Sequence, residues 1–190
     1  VGVVGLGAGT LAAYGRKGDN YRFYEINPQV IDVAMKEFTY LTSTPAKIEN
    51  LLGDARLTME RETPQNYDVL AIDAFSSDSI PTHLMTHQAM GVYIKNMKPD
   101  GVIAFHVTNR FLHLAPVVKR IADETGLHTV LISDDPEDGS DFAKTDWVLV
   151  SRSEKALAHA RIAEAKQPIG KIPGLRLWTD SFNNLFKILK

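Results

Sequence analysis

The chain has 190 residues, no cysteine and a formal net charge of −2, with 44% apolar and 23% charged residues. That length suits one α/β domain with a real core, expected to span residues 1–190. The charge balance gives no electrostatic case for nucleic acid, and the missing cysteines exclude disulfides, thiolate catalysis and cysteine-ligated metals. Every apolar run falls short of the roughly 18 residues of a membrane span. No signal-peptide pattern is present. The sequence opens directly on a core strand and without Met, so it is expected to be a fragment of a longer protein.

Strand and helix signals alternate, which argues a mostly parallel, seven-stranded sheet with an antiparallel last strand and helices on both faces. Residues 1–4 read as the first strand, 10–16 as the start of a helix and 22–25 as the second strand. Asn27-Pro28 places proline in a helix first turn leading into residues 30–38. The third strand covers 47–52, followed by Gly53-Asp54-Ala55 and a short helix over 56–60, and the fourth covers 67–73. Met85, Ala89, Tyr93 and Met97 recur at every fourth position and predict one amphipathic helix over 83–97. Pro99-Asp100-Gly101 turns into a fifth strand at 102–107, and Leu114, Val117, Val118, Ile121 and Ala122 mark another helix. The last two strands are expected at 129–133 and 147–151, joined by an acidic, solvated loop over 134–145. A helix over 154–166, a Pro/Gly linker over 167–173 and a final helix over 182–189 follow, with Asp180 a candidate N-cap.

The strongest functional signal lies in the first 25 residues. One apolar strand ends in Gly5-Leu6-Gly7-Ala8-Gly9 and the next ends in Glu25. Closely spaced glycines let the backbone turn sharply and approach a ligand, and an acid closing the second strand can accept hydrogen bonds from two ribose hydroxyls. This narrows the ligand to a nucleotide or an adenosyl sulfonium. Thr10 stands where the dinucleotide fingerprint wants its third glycine, and no G-x-x-x-x-G-K-[ST] is present. The compact spacing therefore fits an adenosylmethionine-type site better.

Ligands of open parallel sheets sit beyond the carboxyl ends of the strands, where Glu25, Asp54, Asp73 and Asp78 fall. Asp54 suits an adenine amino group and also suits the N-cap of the following helix; the two roles can coexist. Asp73 and Asp78 flank a Ser-rich loop, where paired carboxylates would hold a cationic amine and deprotonate it. Turn chemistry is the competing account, above all for Asp78. His106, Thr108 and Asn109 follow the fifth strand within reach of a substrate, although a histidine ending a buried strand is as often a satisfied structural group. His83 and His87 read as an exposed helix face rather than a metal site, and no metal is expected. Asp180 either caps the final helix or folds back over the pocket mouth as another carboxylate.

Gly5-Leu6-Gly7-Ala8-Gly9, Tyr24-Glu25-Ile26-Asn27-Pro28, Gly53-Asp54-Ala55 and the run from Asp73 through Asp78 to Pro81 resemble the spermidine/spermine synthase family, over roughly residues 1–132. His106-Val107-Thr108-Asn109-Arg110 and Trp178-Thr179-Asp180-Ser181-Phe182 look like its bacterial spermidine-synthase-like domains, often fused behind membrane segments. The resemblance implies a Rossmann-like class I S-adenosylmethionine methyltransferase fold. It also implies transfer of an aminopropyl group from decarboxylated S-adenosylmethionine to a di- or polyamine, with methylthioadenosine as product. By resemblance, Gly5, Gly7, Gly9, Glu25, Asp54, Ala55 and Asp73 would hold the adenosyl ligand, with Glu25 on the ribose and Asp54 on the adenine. Asp73 would bind and deprotonate the attacking amine, and Asp78 would hold the diamine, with Asn109 and Asp180 as further substrate contacts. A cytoplasmic location, a homodimer and an upstream membrane segment in the longer protein are the accompanying expectations.

The chain departs from the family pattern. The usual first loop, G-G-G-D-G-G, carries an acid for the aminopropyl ammonium, and here that position is Ala8. Ala74-Phe75 lengthens the loop between the paired acids, and the family's N-terminal hairpin domain is absent from this chain. Three functions stay open. The first is an aminopropyltransferase. The second is an S-adenosylmethionine-dependent methyltransferase yielding S-adenosylhomocysteine, because a loop without the acid tolerates the intact ligand's carboxylate. The third is a non-catalytic adenosyl-binding module fused to a membrane segment.

Overall fold

In the computed structural model, which describes residues 1–74, 81–136 and 143–190, two adjacent valines on one short strand separate the faces of the sheet. On β1 (Gly2–Val4), Val3 packs with Leu6, Ala12, Phe23, Ala34, Leu41 and Ala71, whereas Val4 joins the larger cluster containing Tyr24, Met59, Ile72 and Met90. Side chains alternate along a strand, so a strand buried on both sides reads as a continuous apolar run. The remaining strands are β2 (Asn20–Glu25), β3 (Lys47–Leu52), β4 (Tyr67–Ile72), β5 (Met97–His106), β6 (His128–Asp134), β7 (Thr145–Ser151) and β8 (Lys166–Gln167).

Their order is β3-β2-β1-β4-β5-β7-β6-β8. The first five are mutually parallel, and β7 is antiparallel to both β5 and β6. The two-residue β8 adds an eighth, antiparallel edge strand beyond the seven expected. Helices α1 (Pro28–Glu37) and α2 (Tyr40–Ser43) supply Ala34 and Leu41 to the Val3 face. Helices α3 (Ala55–Arg61), α4 (His87–Lys95) and α5 (Ala115–Glu124) cover the Val4 face through Met59, Met90, Tyr93, Val118 and Ile121. Among the described residues no helix is long and apolar enough to cross a membrane.

Four expected helices are shorter or broken. The 83–97 helix splits into a 3-10 turn at Thr82–Leu84 and α4, because Thr86 adopts an extended backbone and its hydroxyl caps α4 by accepting from Ala89 N at 3.1 Å. His83 and His87 therefore do not share a helical face, and Met97 opens β5 instead. The 154–166 helix divides into a 3-10 turn at Glu154–Leu157, capped by Ser153, and α6 (Ala160–Ala165), which buries no residue and so has no packing to extend it. The 182–189 helix is a single 3-10 turn at Leu185–Ile188, and its cap is Asn184, not Asp180. The short segment after the glycine loop is likewise a 3-10 turn, Thr10–Tyr14. Of the acidic loop, residues 137–142 lie outside the described residues.

Asp180 is engaged elsewhere, which explains the change of cap. Arg56, on the first turn of α3, donates two 2.7 Å hydrogen bonds to its carboxylate, and Thr86 donates a third at 2.8 Å. Around this clamp the C-terminal segment buries Trp178 and Ile188 against α4 and α5. It then closes onto the loop after β5 through His113 N to Ile188 O, 2.7 Å, and Lys190 N to Phe111 O, 2.9 Å.

The parallel ladder continues past the strand ends and brings the first loop close to β4. Gly5 N donates to Tyr24 O, Asp73 N to Val4 O and Gly53 N to Glu25 O, at 2.8–2.9 Å. A side chain at Gly5 would meet Asp73 O at 2.3 Å, and its φ of +91° is left-handed. Both facts require glycine.

Two predictions follow from these contacts. Gly5→Ala is expected to destabilise the fold by more than the ~1 kcal/mol of a strained backbone alone, whereas Gly7→Ala, whose added Cβ meets nothing within 4 Å, stays near that value; urea unfolding of both variants measures it. The Arg56 hydrogen bonds hold the Asp180 carboxyl below its ordinary range. A depressed carboxyl stabilises the fold above its unfolded pKa and loses that contribution as pH falls. Asp180→Asn should therefore cost about 1 kcal/mol near neutral pH, with the gap to the parent closing below about pH 3.9, as read from unfolding midpoints across the acid range.

Candidate functional site

A cleft of about 510 Å³ opens at the carboxyl ends of β1, β2, β3 and β4. It lies where β1 has β2 on one side and β4 on the other, the switch point at which open α/β sheets hold ligands. Gly5, Gly7, Glu25, Asp54, Ala55 and Asp73 all line it. Its described lining carries three carboxylates, from Glu25, Asp54 and Asp73, and neither Lys nor Arg. Such a wall suits a cation and offers no side-chain counter-charge to a pyrophosphate.

Glu25 is buried, and each of its carboxylate oxygens takes a backbone bond. Oε2 accepts from Leu6 N at 3.0 Å and Oε1 from Asn27 N at 2.9 Å. A carboxylate oxygen has two lone pairs, so the same group that pins the glycine loop to the end of β2 retains acceptor capacity toward the cleft. Asn27 in turn caps α1 through Gln29 N, 3.0 Å. Gly9 does not line the cleft. Its φ of +81° starts the 3-10 turn, and an added Cβ would meet Leu41 at 2.8 Å.

Asp54 performs the expected capping role, accepting from Leu57 N at 2.9 Å through Oδ1. Its second oxygen lies 2.9 Å from His83 Nε2. His83, expected on an exposed helix, thus stands over Asp54 and lines the cleft. Behind them, the Tyr24 hydroxyl meets that of Tyr67 at 2.6 Å. Burial, followed by this hydrogen bond, pushes Tyr24 well above the ordinary phenol range, so it presents a neutral ring to the pocket.

Asp73 closes β4 and is joined to the end of β5. Its Oδ1 lies 2.7 Å from His106 Nδ1, and His106 Nε2 lies 2.7 Å from Thr108 Oγ1. The imidazole stacks on Trp147 with centroids 4.7 Å apart and planes 16° from parallel. Sequence order could place both groups at one sheet end but could not pair them.

The other substrate candidates fall elsewhere. Asn109 is buried outside the cleft lining, and its Oδ1 accepts from Phe111 N and Leu112 N, each at 2.9 Å, closing the turn after β5. Asp180 stands beside the cleft rather than in it, on Arg56, which also donates to His83 O at 3.0 Å. Asp78 lies outside the described residues. Among the described residues no group of three or more His, Asp or Glu gathers at a point that would hold a metal.

No family model matches the chain. A polyamine aminopropyltransferase of Vibrio vulnificus is 29% identical over 114 residues, covering 57% of this chain and 36% of that enzyme. The spermidine synthase of Thermotoga maritima superposes with a TM-score of 0.62 at 15% identity, over 90% of this chain and 60% of that one. Human methyltransferase-like protein 13, solved in complex with SAH, superposes with a TM-score of 0.60 at 19% identity, over 95% of this chain and 85% of that one. The chain thus spans only part of the polyamine enzymes it matches. In sequence it is similar to part of a polyamine aminopropyltransferase, and its fold is shared by spermidine synthases and by a methyltransferase-like protein.

Proposed function

We propose that the cleft binds the adenosyl sulfonium of decarboxylated S-adenosylmethionine and moves its aminopropyl group to the amine of a di- or polyamine. The observation that carries this reading is the wall of three carboxylates without a Lys or Arg among the described lining residues. Decarboxylated S-adenosylmethionine and a polyamine are both cations, and a carboxylate-bearing ligand would meet repulsion there without a side-chain counter-charge. Glu25 takes the ribose hydroxyls, Asp54 the adenine amino group and Asp73 the acceptor amine, with Asp78 as a second amine ligand.

The chemistry asks for little beyond placement. The acceptor ammonium gives a proton to the Asp73 carboxylate. The freed lone pair attacks the carbon next to sulfur, and the new N–C bond forms as the C–S bond breaks. The C–S electron pair returns to sulfur, so the leaving group is neutral methylthioadenosine. No oxyanion develops, so alignment and a deprotonated amine supply the rate.

Methyl transfer from intact S-adenosylmethionine is the second reading. Ala8 favours it, since the loop lacks the acid that would oppose the ligand's carboxylate. This chain also spans 85% of human methyltransferase-like protein 13, solved in complex with SAH, against 60% of the Thermotoga maritima spermidine synthase and 36% of the Vibrio vulnificus enzyme.

The test is incubation of the protein with decarboxylated S-adenosylmethionine and each of putrescine, cadaverine and spermidine, with chromatography of released methylthioadenosine. Release is expected with at least one amine. Asp73→Asn should lower it by at least about 100-fold while leaving methylthioadenosine affinity unchanged. No release with any amine overturns aminopropyl transfer, and S-adenosylhomocysteine release from the intact ligand would establish the second reading.

A further inference from the structure

Neither adenosyl nor amine binding explains why Asp73 should touch a histidine. The hydrogen bonds around that histidine decide which way its proton faces. Thr108 Oγ1 lies 2.7 Å from His106 Nε2, accepts from Asp146 N at 2.7 Å, and stands 3.5 Å from Asp146 O. A hydroxyl has one proton to donate. Given to Nε2, it makes a full-strength bond; given to Asp146 O, it makes one at the limit of hydrogen bonding. An ionised carboxylate only accepts, so the 2.7 Å contact with Asp73 Oδ1 needs the proton on Nδ1, and the Thr108 hydroxyl can give its own proton to Nε2. In that arrangement the Nδ1–H points at Asp73 Oδ1 and the Thr108 hydroxyl holds the other side of the ring.

The ring has little freedom to turn. His106 is the last residue of β5 and pairs in register with Trp147 on β7, on whose indole it stacks. Asp146 is itself tied to β6, its Oδ1 accepting from Ser133 Oγ at 2.6 Å. A line of contacts thus runs from β6 through β7 and β5 to the acid at the end of β4. By contrast, the Asp73 side chain is 37% exposed, and its Oδ2 has no hydrogen bond among the described residues.

We propose that His106 is a positioning residue for Asp73: its Nδ1–H holds Oδ1 and leaves Oδ2 as the oxygen that receives the proton of the acceptor amine. This rests on the transferase reading of the cleft. A histidine that only tied β5 to β7 would work in either tautomer, and its loss would alter stability rather than turnover by folded protein. Fixing an acid by a neighbour that is itself locked is the usual way in which outer groups tune a reacting one.

The first arm of the test does not depend on activity. Nitrogen-15 NMR of histidine-labelled protein at neutral pH, with the His106 signals assigned by their loss in His106→Asn, should show a protonated Nδ1 and a bare Nε2. The Nδ1–H resonance should shift in Asp73→Asn. A ring protonated on Nε2, or one indifferent to Asp73→Asn, overturns the proposal.

The second arm is kinetic. His106→Leu should lower kcat by about 10- to 100-fold with KM for the adenosyl substrate nearly unchanged. His106→Asn, whose amide can replace the Nδ1–H, should recover most of that loss. Equal loss in both variants, or none in His106→Leu, overturns the proposal. A protein that binds methylthioadenosine yet transfers nothing sinks the transferase reading instead, and the tautomer measurement then decides the pairing alone.

Discussion

The site depends first on the buried carboxylate of Glu25. It accepts from Leu6 N on one side and Asn27 N on the other, which joins the glycine loop after β1 to the turn that starts α1. A buried carboxylate is costly unless hydrogen-bonded, and here two backbone amides that would otherwise end strands unpaired satisfy it. The same contact fixes the floor of the cleft. The ladder bonds from Gly5, Gly53 and Asp73 carry the pairing beyond the regular strands, so three acids from three strand ends face one space. Folding and the shape of the cleft thus share their supports.

The far wall is built differently. Asp54, His83, Arg56, Thr86 and Asp180 form a polar chain from the cleft to the C-terminal segment. Asp54 anchors this wall by capping α3, and Arg56, two residues further along, anchors the tail. The Asp180 clamp therefore holds the tail over the Val4-face helices beside the cleft mouth. Asp73 and His106 form a second chain that reaches β7 and β6. The cleft sits between two sets of contacts that link strands far apart in sequence.

Local signals in the sequence carried the parallel sheet, the antiparallel seventh strand, the glycine loop and the strand-end acids. Strand β3 falls on the residues its pattern indicates, Lys47–Leu52, and Asp54 caps the helix that follows it. Contacts between distant residues were not legible. Nothing near Asp180 announces Arg56, 124 residues away, and nothing near Asp73 announces that His106, 33 residues on, turns toward it. Periodicity also misled where one residue could do two things. The fourfold spacing through Met85, Ala89, Tyr93 and Met97 survives as burial, but Thr86 uses its hydroxyl to begin a new helix, and Met97 pairs with Tyr67 as the start of β5. Near the C-terminus the Leu185–Ile188 turn is apolar and buries Ile188, but extended backbone at Asn184 and Leu189 bounds it to one turn, whereas α6 buries no residue at all.

The central claim is that the carboxylate wall selects a cationic adenosyl ligand without a carboxylate of its own. Calorimetric titration with decarboxylated and intact S-adenosylmethionine, side by side, tests it most directly. The account predicts that the decarboxylated ligand binds at least about tenfold tighter, a difference of about 1.4 kcal/mol. Equal or tighter binding of intact S-adenosylmethionine would contradict it and turn the search to methyl acceptors.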